Sequence, residues 1–204
     1  GCGSGILMEC FDLIYRNNDL ILAQSKSFEK EIKNLSNNVP VLYFPNPGKK
    51  FVKRNNSRKI NLKKNEKFNL VFAGNLGKAQ AVDIILKAAE MLKKNSKIMF
   101  TIVGTGKMYS WIKKELKTKK ISNVLLTGRL EGNKLTKILK SCSALLITLK
   151  NGYVLNKTIP SKLQTYLSSG KPIIGSLNGE ASKIIQNSKA GLVCPAEKPN
   201  MLIK

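Results

Sequence analysis

The chain has 204 residues, of which 42% are hydrophobic, and it carries a formal net charge of +24. This apolar content is sufficient for a packed core in one large or two small domains. No apolar run approaches the length of a membrane span, and the start lacks the charged and apolar segments of a signal peptide. We therefore expect a soluble cytoplasmic protein. The glycine-rich start and an end without a helix stop signal indicate a piece of a longer chain.

The residue types exclude several kinds of chemistry. The sequence contains no histidine, which is the usual general base near neutral pH. Its four cysteines, Cys2, Cys10, Cys142 and Cys194, lack the paired spacing of a zinc site. We therefore expect neither a metal centre nor a histidine-dependent triad, and predict a chain that binds more than it catalyses.

The excess of basic residues favours anionic partners, since a strong positive field attracts them. An anionic membrane surface is one candidate, and part of the excess reflects a general abundance of lysine and asparagine. Nucleic acid is disfavoured because aromatic residues such as Trp111 fall at helical core spacing and are not interleaved with the basic residues. We therefore expect no nucleic-acid partner.

Residues 1–48 read as a short αβαβ piece. The pattern predicts a helix over 8–15, an apolar run over 19–24, a helix over 25–33 capped by Ser25, and a strand over 39–44. This piece is too small to bury both faces of a sheet, so we interpret it as the last elements of an N-terminal domain. The polar, basic stretch 49–67 reads as a linker, or alternatively as a segment that docks on a membrane or an acidic partner.

From residue 68 strands and helices alternate regularly. The predicted strands are 69–73, 97–103, 124–127, 144–149, 172–175 and 191–194, and the helices between them are 79–94, 107–117, 134–140, one from Pro160 to a stop at Gly170, and 179–187. Such alternation is typical of an α/β fold with a Rossmann-like parallel sheet and helices on both faces. In these sheets ligands bind beyond the carboxyl ends of the strands.

The loops at those ends are 74–80, 104–106, 128–130, 150–161 and 178–180. Gly74, Gly104 and Gly128 each follow a strand directly, which permits a tight turn and a close approach of the backbone to a ligand. The same glycines would serve merely to turn the chain. Neither a complete G-x-G-x-x-G pattern nor a P-loop occurs, which disfavours an ordinary dinucleotide or P-loop site.

The helix that begins near Pro160 offers a candidate anion site. Proline suits the first position of a helix, and the first turn exposes amide groups without an intrahelical acceptor. Ser161 and Lys162 lie in that turn, beside the positive end of the helix dipole. This pattern predicts a phosphate-bearing ligand, although the same residues also begin helices that bind nothing.

Five segments together resemble one known family. They are FAGNLGKAQ at 72–80, IVGTG at 102–106, LTGR at 126–129, IPSKLQTYLSSGKPII at 159–174 and NGEA at 178–181. In this order and spacing they closely resemble the C-terminal domain of the group 1 (family 4, GT-B) glycosyltransferases, nearest to the aminosugar (N-acetylfucosamine-type) transferases of O-antigen and capsule assembly. Residues 19–28 and 41–47 are similar to the end of the family's N-terminal domain. The expected domains are therefore 1–48, the linker 49–67, and a truncated nucleotide-sugar-binding domain over 68–204.

The resemblance implies roles for individual residues. The donor nucleotide and its diphosphate would contact residues of the strand-end loops and of the helix at Pro160: Gly74, Asn75, Gln80, Gly104, Gly106, Gly128, Arg129, Leu130, Ser161, Lys162 and Thr165. Among them Arg129 and Leu130 would border the base, while Ser161 and Lys162 would hold the diphosphate, where a charge-assisted contact also suits the leaving group.

The sequence also departs from the family pattern. Many members carry two glutamates eight residues apart, where this chain has Lys157 and Thr165, and many carry arginine and lysine where it has Asn75 and Gln80. Lys157 and Glu180 would border the donor sugar. Glu180 stands in the first turn of a predicted helix, where a carboxylate is favourable in any case, so facing the sugar and capping the helix remain equal alternatives.

The function implied by the resemblance is transfer of a sugar, an N-acetylhexosamine derivative, from a UDP-sugar to a lipid-linked or saccharide acceptor in cell-surface polysaccharide synthesis. Transfer would retain the anomeric configuration and need no metal or other cofactor. The enzyme would be cytoplasmic and could associate peripherally with the inner face of the cell membrane. The acceptor-side residues would lie in the missing N-terminal part, so this piece alone is expected to be inactive. The alternative is a non-catalytic nucleotide-binding or docking module.

Overall fold

The computed structural model describes residues 13–36, 38–48 and 67–204. Within them the chain forms two parallel sheets, one of two strands and one of six. The predicted fold class, a parallel sheet flanked by helices, is confirmed. Most of the helix predicted over 8–15 and of the linker lies outside the described residues, and the domain boundaries remain a prediction.

The first unit is the small parallel sheet with its connecting helix. Strands β1 (Ile21–Ala23) and β2 (Val41–Tyr43) pair in parallel, and helix α1 (Lys26–Leu35) joins them. The helix begins where predicted, because the Ser25 hydroxyl accepts a hydrogen bond of 3.1 Å from the amide of Phe28. On one side of the sheet Ala23 and Val41 are buried.

The second unit is a six-stranded parallel sheet with helices between consecutive strands. Its strands are β3 (Phe68–Ala73), β4 (Ile98–Val103), β5 (Val124–Gly128), β6 (Ala144–Thr148), β7 (Ile173–Ser176) and β8 (Gly191–Cys194). The helices are α2 (Val82–Met91), α3 (Tyr109–Thr118), α4 (Gly132–Ser141), α5 (Tyr153–Lys157), α6 (Ser161–Ser169), α7 (Gly179–Asn187) and α8 (Pro199–Leu202).

Alternate residues of the central strands fill two cores, one on each face of the sheet. Phe72, Ile102 and Leu146 belong to the core beneath α2 and α3, whereas Val71 and Leu145 belong to the other. All five side chains are fully buried, as the near-continuous apolar sequence of parallel strands requires.

The strand order β5-β4-β3-β6-β7-β8 determines where a ligand can bind. From β3 the chain winds to one side of the sheet through β4 and β5, and from β6 it winds to the other side. The neighbouring strands β3 and β6 therefore form a topological switch point, where the loops beyond their carboxyl ends diverge and leave a crevice.

Three local predictions need correction. The helix predicted over 79–94 is split, because Ala81 adopts a left-handed conformation (φ 46°) between a 3₁₀ turn at Lys78–Gln80 and α2, and α2 ends at Met91. The stretch predicted as a loop after β6 contains the short helix α5. Pro160 caps α6 in an extended conformation (ψ 133°), and the helix itself begins one residue later. Gly170 ends α6 in the left-handed region (φ 68°), as predicted.

Candidate functional site

A cavity of about 910 Å³ lies at the switch point, beyond the carboxyl ends of β3, β4 and β6. Of the eleven residues predicted to bind the donor nucleotide, nine line it: Gly74, Asn75, Gln80, Gly104, Arg129, Leu130, Ser161, Lys162 and Thr165. The structure therefore brings together residues that are up to 91 positions apart in the sequence, from Gly74 to Thr165. Their predicted contacts with a donor remain a prediction.

Two glycine loops form one wall of the cavity by direct contact between their backbones. A side chain at Gly104, which has φ 146°, would overlap the carbonyl oxygen of Gly74. The amide of Gly74 in turn donates to the carbonyl of Val103 at 2.9 Å. Glycine is therefore required at position 104 by the fold of this wall, independently of any ligand.

Lys162, in the first turn of α6, is the central charged group of the cavity. Its ammonium donates to the side-chain oxygen of Gln80 and lies 3.8 Å from the centre of the Phe72 ring. Added bulk at Gly74 would come within 3.0 Å of Lys162 Nζ, so the ammonium lies directly against the glycine wall. Burial lowers the pKa of Lys162 to about 7, because the surrounding groups offer little compensation for lost hydration.

The buried side of α6 is fixed to β3 by Tyr166. The tyrosine hydroxyl accepts a hydrogen bond of 2.8 Å from the amide of Ala73 and lies 3.2 Å from the carbonyl oxygen of the same residue. Burial raises the pKa of this phenol, so it remains protonated. The end of β3 and the start of α6, which carry Gly74 and Lys162, are thereby held at a constant separation.

The charge balance of the cavity favours an anion. Among the described residues that line it, Arg129 and Lys162 are cationic, and none is an aspartate or glutamate. Arg129 is 75% exposed and pairs at 2.7 Å with Glu131, which does not itself line the cavity. Lys162 therefore provides the cationic group deepest in the cavity, beside the amide groups of the first turn of α6.

Another lysine of these loops, Lys150, has its charge balanced by two carboxylates. Lys150, directly after Leu149, lies 3.3 Å from Glu197 and 3.7 Å from Asp83. These carboxylates raise its pKa, with Asp83 the larger cause. The contacts hold the loop between β6 and α5 in place and direct Lys150 away from ligand binding.

Four of the predicted site residues do not line the cavity. Gly106 packs against the backbone of Leu76, and the carbonyl of Gly128 accepts from the amide of Gly104 at 2.8 Å, so both support the walls from behind. Lys157 pairs with Glu31 of α1 and lies over the ring of Tyr153.

Glu180 is the fourth of these residues. Its carboxylate accepts a hydrogen bond of 2.7 Å from the Ser27 hydroxyl and lies 3.8 Å from Lys183. The side chain of Asn178, the N-cap residue of α7, accepts no hydrogen bond from the first amides of that helix. Glu180 and Lys157 therefore connect the two units through α1, and their proposed contact with a donor sugar remains a prediction.

Sequence reasoning missed the apolar side of the cavity. Leu135 and Leu139 of α4, Leu149 after β6 and Leu155 of α5 line it, together with Asn46 and Pro47 from the segment after β2. The leucines of α4 carry a helical spacing that is also typical of a core, and α5 lay in a stretch without a helical pattern. Asn46 and Pro47 approach α6 through tertiary packing that no local pattern encodes.

The described residues contain no cluster of potential metal ligands. Within residues 13–36, 38–48 and 67–204, no three histidine, cysteine, aspartate or glutamate side chains cluster closely enough to hold a metal ion. In the same ranges no helix is both long and apolar enough to cross a bilayer.

Comparison with known proteins places this geometry in a family context. Residues 53–204 match the family model for glycosyl transferases group 1. The chain is 30% identical over 135 residues to a probable glycosyltransferase, WbjE, of Pseudomonas aeruginosa, an overlap of 65% of this chain and 33% of the relative. It is 26% identical over 192 residues to an uncharacterized glycosyltransferase, MJ1069, of Methanocaldococcus jannaschii, which covers 92% of this chain and 48% of the relative. The chain thus spans half or less of these relatives.

Solved structures share the fold at low sequence identity. Anabaena Alr3699/HepE in complex with UDP-glucose superposes with a TM-score of 0.76 at 13% identity, over 98% of this chain and 56% of that chain. The pneumococcal O-GlcNAc transferase GtfA in complex with UDP and GlcNAc superposes with a TM-score of 0.70 at 16% identity, over 95% of this chain and 38% of that chain.

Proposed function

The chain belongs to the group 1 glycosyltransferases, and from this premise we propose that its cavity binds the nucleotide diphosphate of a UDP-sugar donor. The observation that carries the proposal is Lys162, held at the first turn of α6 in a cavity whose described lining contains no carboxylate. Solved proteins of similar fold were crystallised with UDP or UDP-glucose, which supports UDP as the nucleotide.

The cavity offers a separate environment for each part of such a donor. The diphosphate would lie against Gly74, the first turn of α6 and Lys162, where amide donors and an ammonium converge. The base would lie between Arg129 and Leu130, beside the leucines of α4. Thr165, one turn after Ser161 on α6, would face the ribose with a hydroxyl in place of the carboxylate that many relatives carry.

The proposed reaction is transfer of an N-acetylhexosamine derivative to a lipid-linked or saccharide acceptor in cell-surface polysaccharide synthesis, with retention of configuration and without a metal. As the donor glycosidic bond breaks, negative charge accumulates on the leaving diphosphate. A protonated Lys162 stabilises that charge, which is the contribution this chain can make to the chemistry. We place the protein in the cytoplasm, at an anionic membrane surface. The acceptor-side groups are proposed to belong to the further length of chain that its relatives possess.

Calorimetric titration with UDP, ADP and inorganic phosphate tests the donor site. We expect UDP to bind more tightly than the other two compounds, and Lys162→Met to weaken UDP binding by about 10- to 100-fold, since a hydrogen bond to a charged group is lost. Lys107→Met is the matched control, because Lys107 follows β4 in the same set of loops and does not line the cavity.

Two outcomes would count against the proposal. Equal affinity for UDP and phosphate would show that the site recognises only an anion. UDP binding that is unaffected by Lys162→Met would place the nucleotide elsewhere. UDP binding without sugar transfer, in an assay that supplies the further length of chain found in the relatives, would favour the alternative of a non-catalytic nucleotide-binding module.

A further inference from the structure

The end of the large sheet opposite the cavity is strongly basic. In a parallel sheet all strands begin at one end, and here the segments that lead into them lie together at what we call the amino-end face. It comprises residue 67, the connections 92–97, 118–123, 141–143, 170–172 and 188–190, and the helix ends before them. Ten lysines belong to this face: Lys67, Lys93, Lys94, Lys97, Lys117, Lys119, Lys120, Lys140, Lys171 and Lys189.

Few acidic groups offset these lysines. Among the ten lysines, Lys119 alone forms ion pairs with described residues, at 3.3 Å from Glu90 and 3.2 Å from Glu115. At the cavity end the carboxylates of Glu131 and Glu197 match Arg129 and Lys150, whereas other lysines there are, like those of the amino-end face, without an ion pair among the described residues. Nine of the ten lysines of the amino-end face therefore have no ion pair among the described residues, which leaves this face with a large uncompensated positive charge.

Helix dipoles explain only some of the lysines. The helices that precede each strand end at this face, and a lysine in a last helical turn offsets their partial negative charge. That effect accounts for Lys117 and Lys140, which lie in the last turns of α3 and α4. It does not account for Lys67 and Lys97, each of which directly precedes a strand.

Exposed apolar side chains lie among these lysines. Phe68 at the start of β3 is 46% exposed, and Met91 at the end of α2 is 49% exposed. The amide of Phe68 donates to the carbonyl of Lys97 at 2.6 Å, so the backbones of these two residues are neighbours at this end of the sheet. Lysines around exposed apolar groups are typical of surfaces that rest on the interface of an anionic bilayer.

We propose that the amino-end face docks this protein on an anionic lipid bilayer. The sheet is six strands wide, about 24 Å at 4.8 Å per spacing, which gives a broad face suited to a flat anionic surface. A nucleic acid is less well matched, since stacking on bases needs a row of aromatic side chains along a groove. The inference deepens the proposed membrane association and does not depend on the donor site.

Docking in this way fixes the orientation of the cavity. A strand of six residues spans about 20 Å, so the cavity lies that far above the bilayer and opens away from it. An acceptor that reaches the cavity must then extend well beyond the lipid surface, as the saccharide portion of a lipid-linked acceptor does.

Vesicle flotation tests the proposal with two variants of equal charge. In the first, Lys93, Lys94 and Lys97 are replaced by glutamate; in the control, Lys107, Lys134 and Lys198, in loops or helix starts at the cavity end, are replaced in the same way. Vesicles contain phosphatidylcholine alone or with about one third phosphatidylglycerol. We expect the parent chain to float only with the anionic vesicles. The first variant should lose at least about 100-fold in partition coefficient, since each lysine near such a surface contributes about fivefold and each introduced glutamate is repelled by it, whereas the control should remain close to the parent.

A third variant, Phe68→Ser, should lose less than the first, because it removes only the apolar contribution. Equal loss in the first variant and the control would show that net charge alone drives binding, and would overturn the assignment of the face. Flotation of the parent chain with neutral vesicles would also overturn the proposal. So would binding of single-stranded nucleic acid, without binding of vesicles, that is weakened in the first variant and not in the control. Circular dichroism confirms that each variant is folded. A UDP titration on the same samples reports the donor site separately, so the two proposals can fail independently.

Discussion

The perturbed titration of Lys162 predicts that UDP binding is coupled to proton uptake. Burial against the Phe72 ring and the Gln80 amide lowers the pKa of Lys162 to about 7, so at pH 8 only about one tenth of free protein carries the charged ammonium. A neighbouring diphosphate favours the charged form and restores the pKa toward its ordinary range. Binding should then take up about 0.9 proton at pH 8 and about 0.5 at pH 7.

The same linkage gives the pH dependence of affinity. Because the binding-competent form is depleted above its pKa, UDP affinity should fall by about 15-fold between pH 7 and pH 8.5. In this interval the phosphates of UDP are already ionised, since their last pKa lies near 6. The titration of Lys162, and not that of UDP, therefore determines how affinity changes with pH in this interval.

Calorimetry in two buffers of different ionisation enthalpy measures the uptake directly, because the difference in observed heat divided by the difference in buffer enthalpy equals the number of protons bound. The Lys162→Met variant should show neither the uptake nor the pH-dependent loss of affinity. Uptake near zero at pH 8 in the parent chain, or the same uptake in Lys162→Met, would refute the assignment of the proton to this lysine.

Three further predictions concern stability, measured by urea unfolding. The lowered pKa of Lys162 means that the unfolded chain binds more protons at this residue above pH 7, so the free energy of unfolding should rise with pH. The window to measure is pH 7 to about 8.5, because the raised pKa values of Cys142, Cys194 and Tyr166 act in the opposite direction at higher pH. Lys162→Met should abolish the rise, and a parallel slope in both proteins would exclude Lys162 as its source. Gly104→Ala should lower the free energy of unfolding by at least about 3 kcal/mol, because the new methyl overlaps the Gly74 carbonyl. The control Gly132→Ala, at φ 54° with no neighbouring atom within 4 Å, should lower it by only about 1 kcal/mol. Similar losses in both variants would show that positive φ and not the overlap is decisive. Tyr166→Phe should cost about 1 to 3 kcal/mol, since the Ala73 amide loses its acceptor, and a cost near zero would indicate that this hydrogen bond contributes little.

The strands of the large sheet were predictable from the sequence, because buried parallel strands are continuous apolar runs and glycine often follows them directly. Strand β8 and helix α7 were placed with correct bounds. Helix α5 was missed because its five residues, Tyr153–Lys157, are too few to show an apolar period. The break at Ala81 was missed because alanine favours helices, and only the tertiary contacts of the loop impose its left-handed conformation.

The candidate site was predictable where backbone chemistry determines it, and less so where tertiary contacts do. Glycines at strand ends and a lysine in a first helical turn carry local signals, so the positions of Gly74, Gly104 and Lys162 along the cavity followed from the sequence. The partners of Lys157 and Glu180 did not, because Glu31 and Ser27 lie more than 120 residues earlier in the chain. A pairing over such a distance depends on how the two units pack.

The switch point between β3 and β6 also has a consequence for the order in which the chain is synthesised. Gly74 and Gly104 emerge from the ribosome well before α6, which carries both Lys162 and the Tyr166 hydroxyl that bonds to the end of β3. A nascent chain that ends before Lys162 therefore exposes half a crevice without its ammonium. Under the proposed function, affinity for the nucleotide would appear only once α6 is in place, so a bound nucleotide would selectively stabilise chains in which both halves of the sheet have joined.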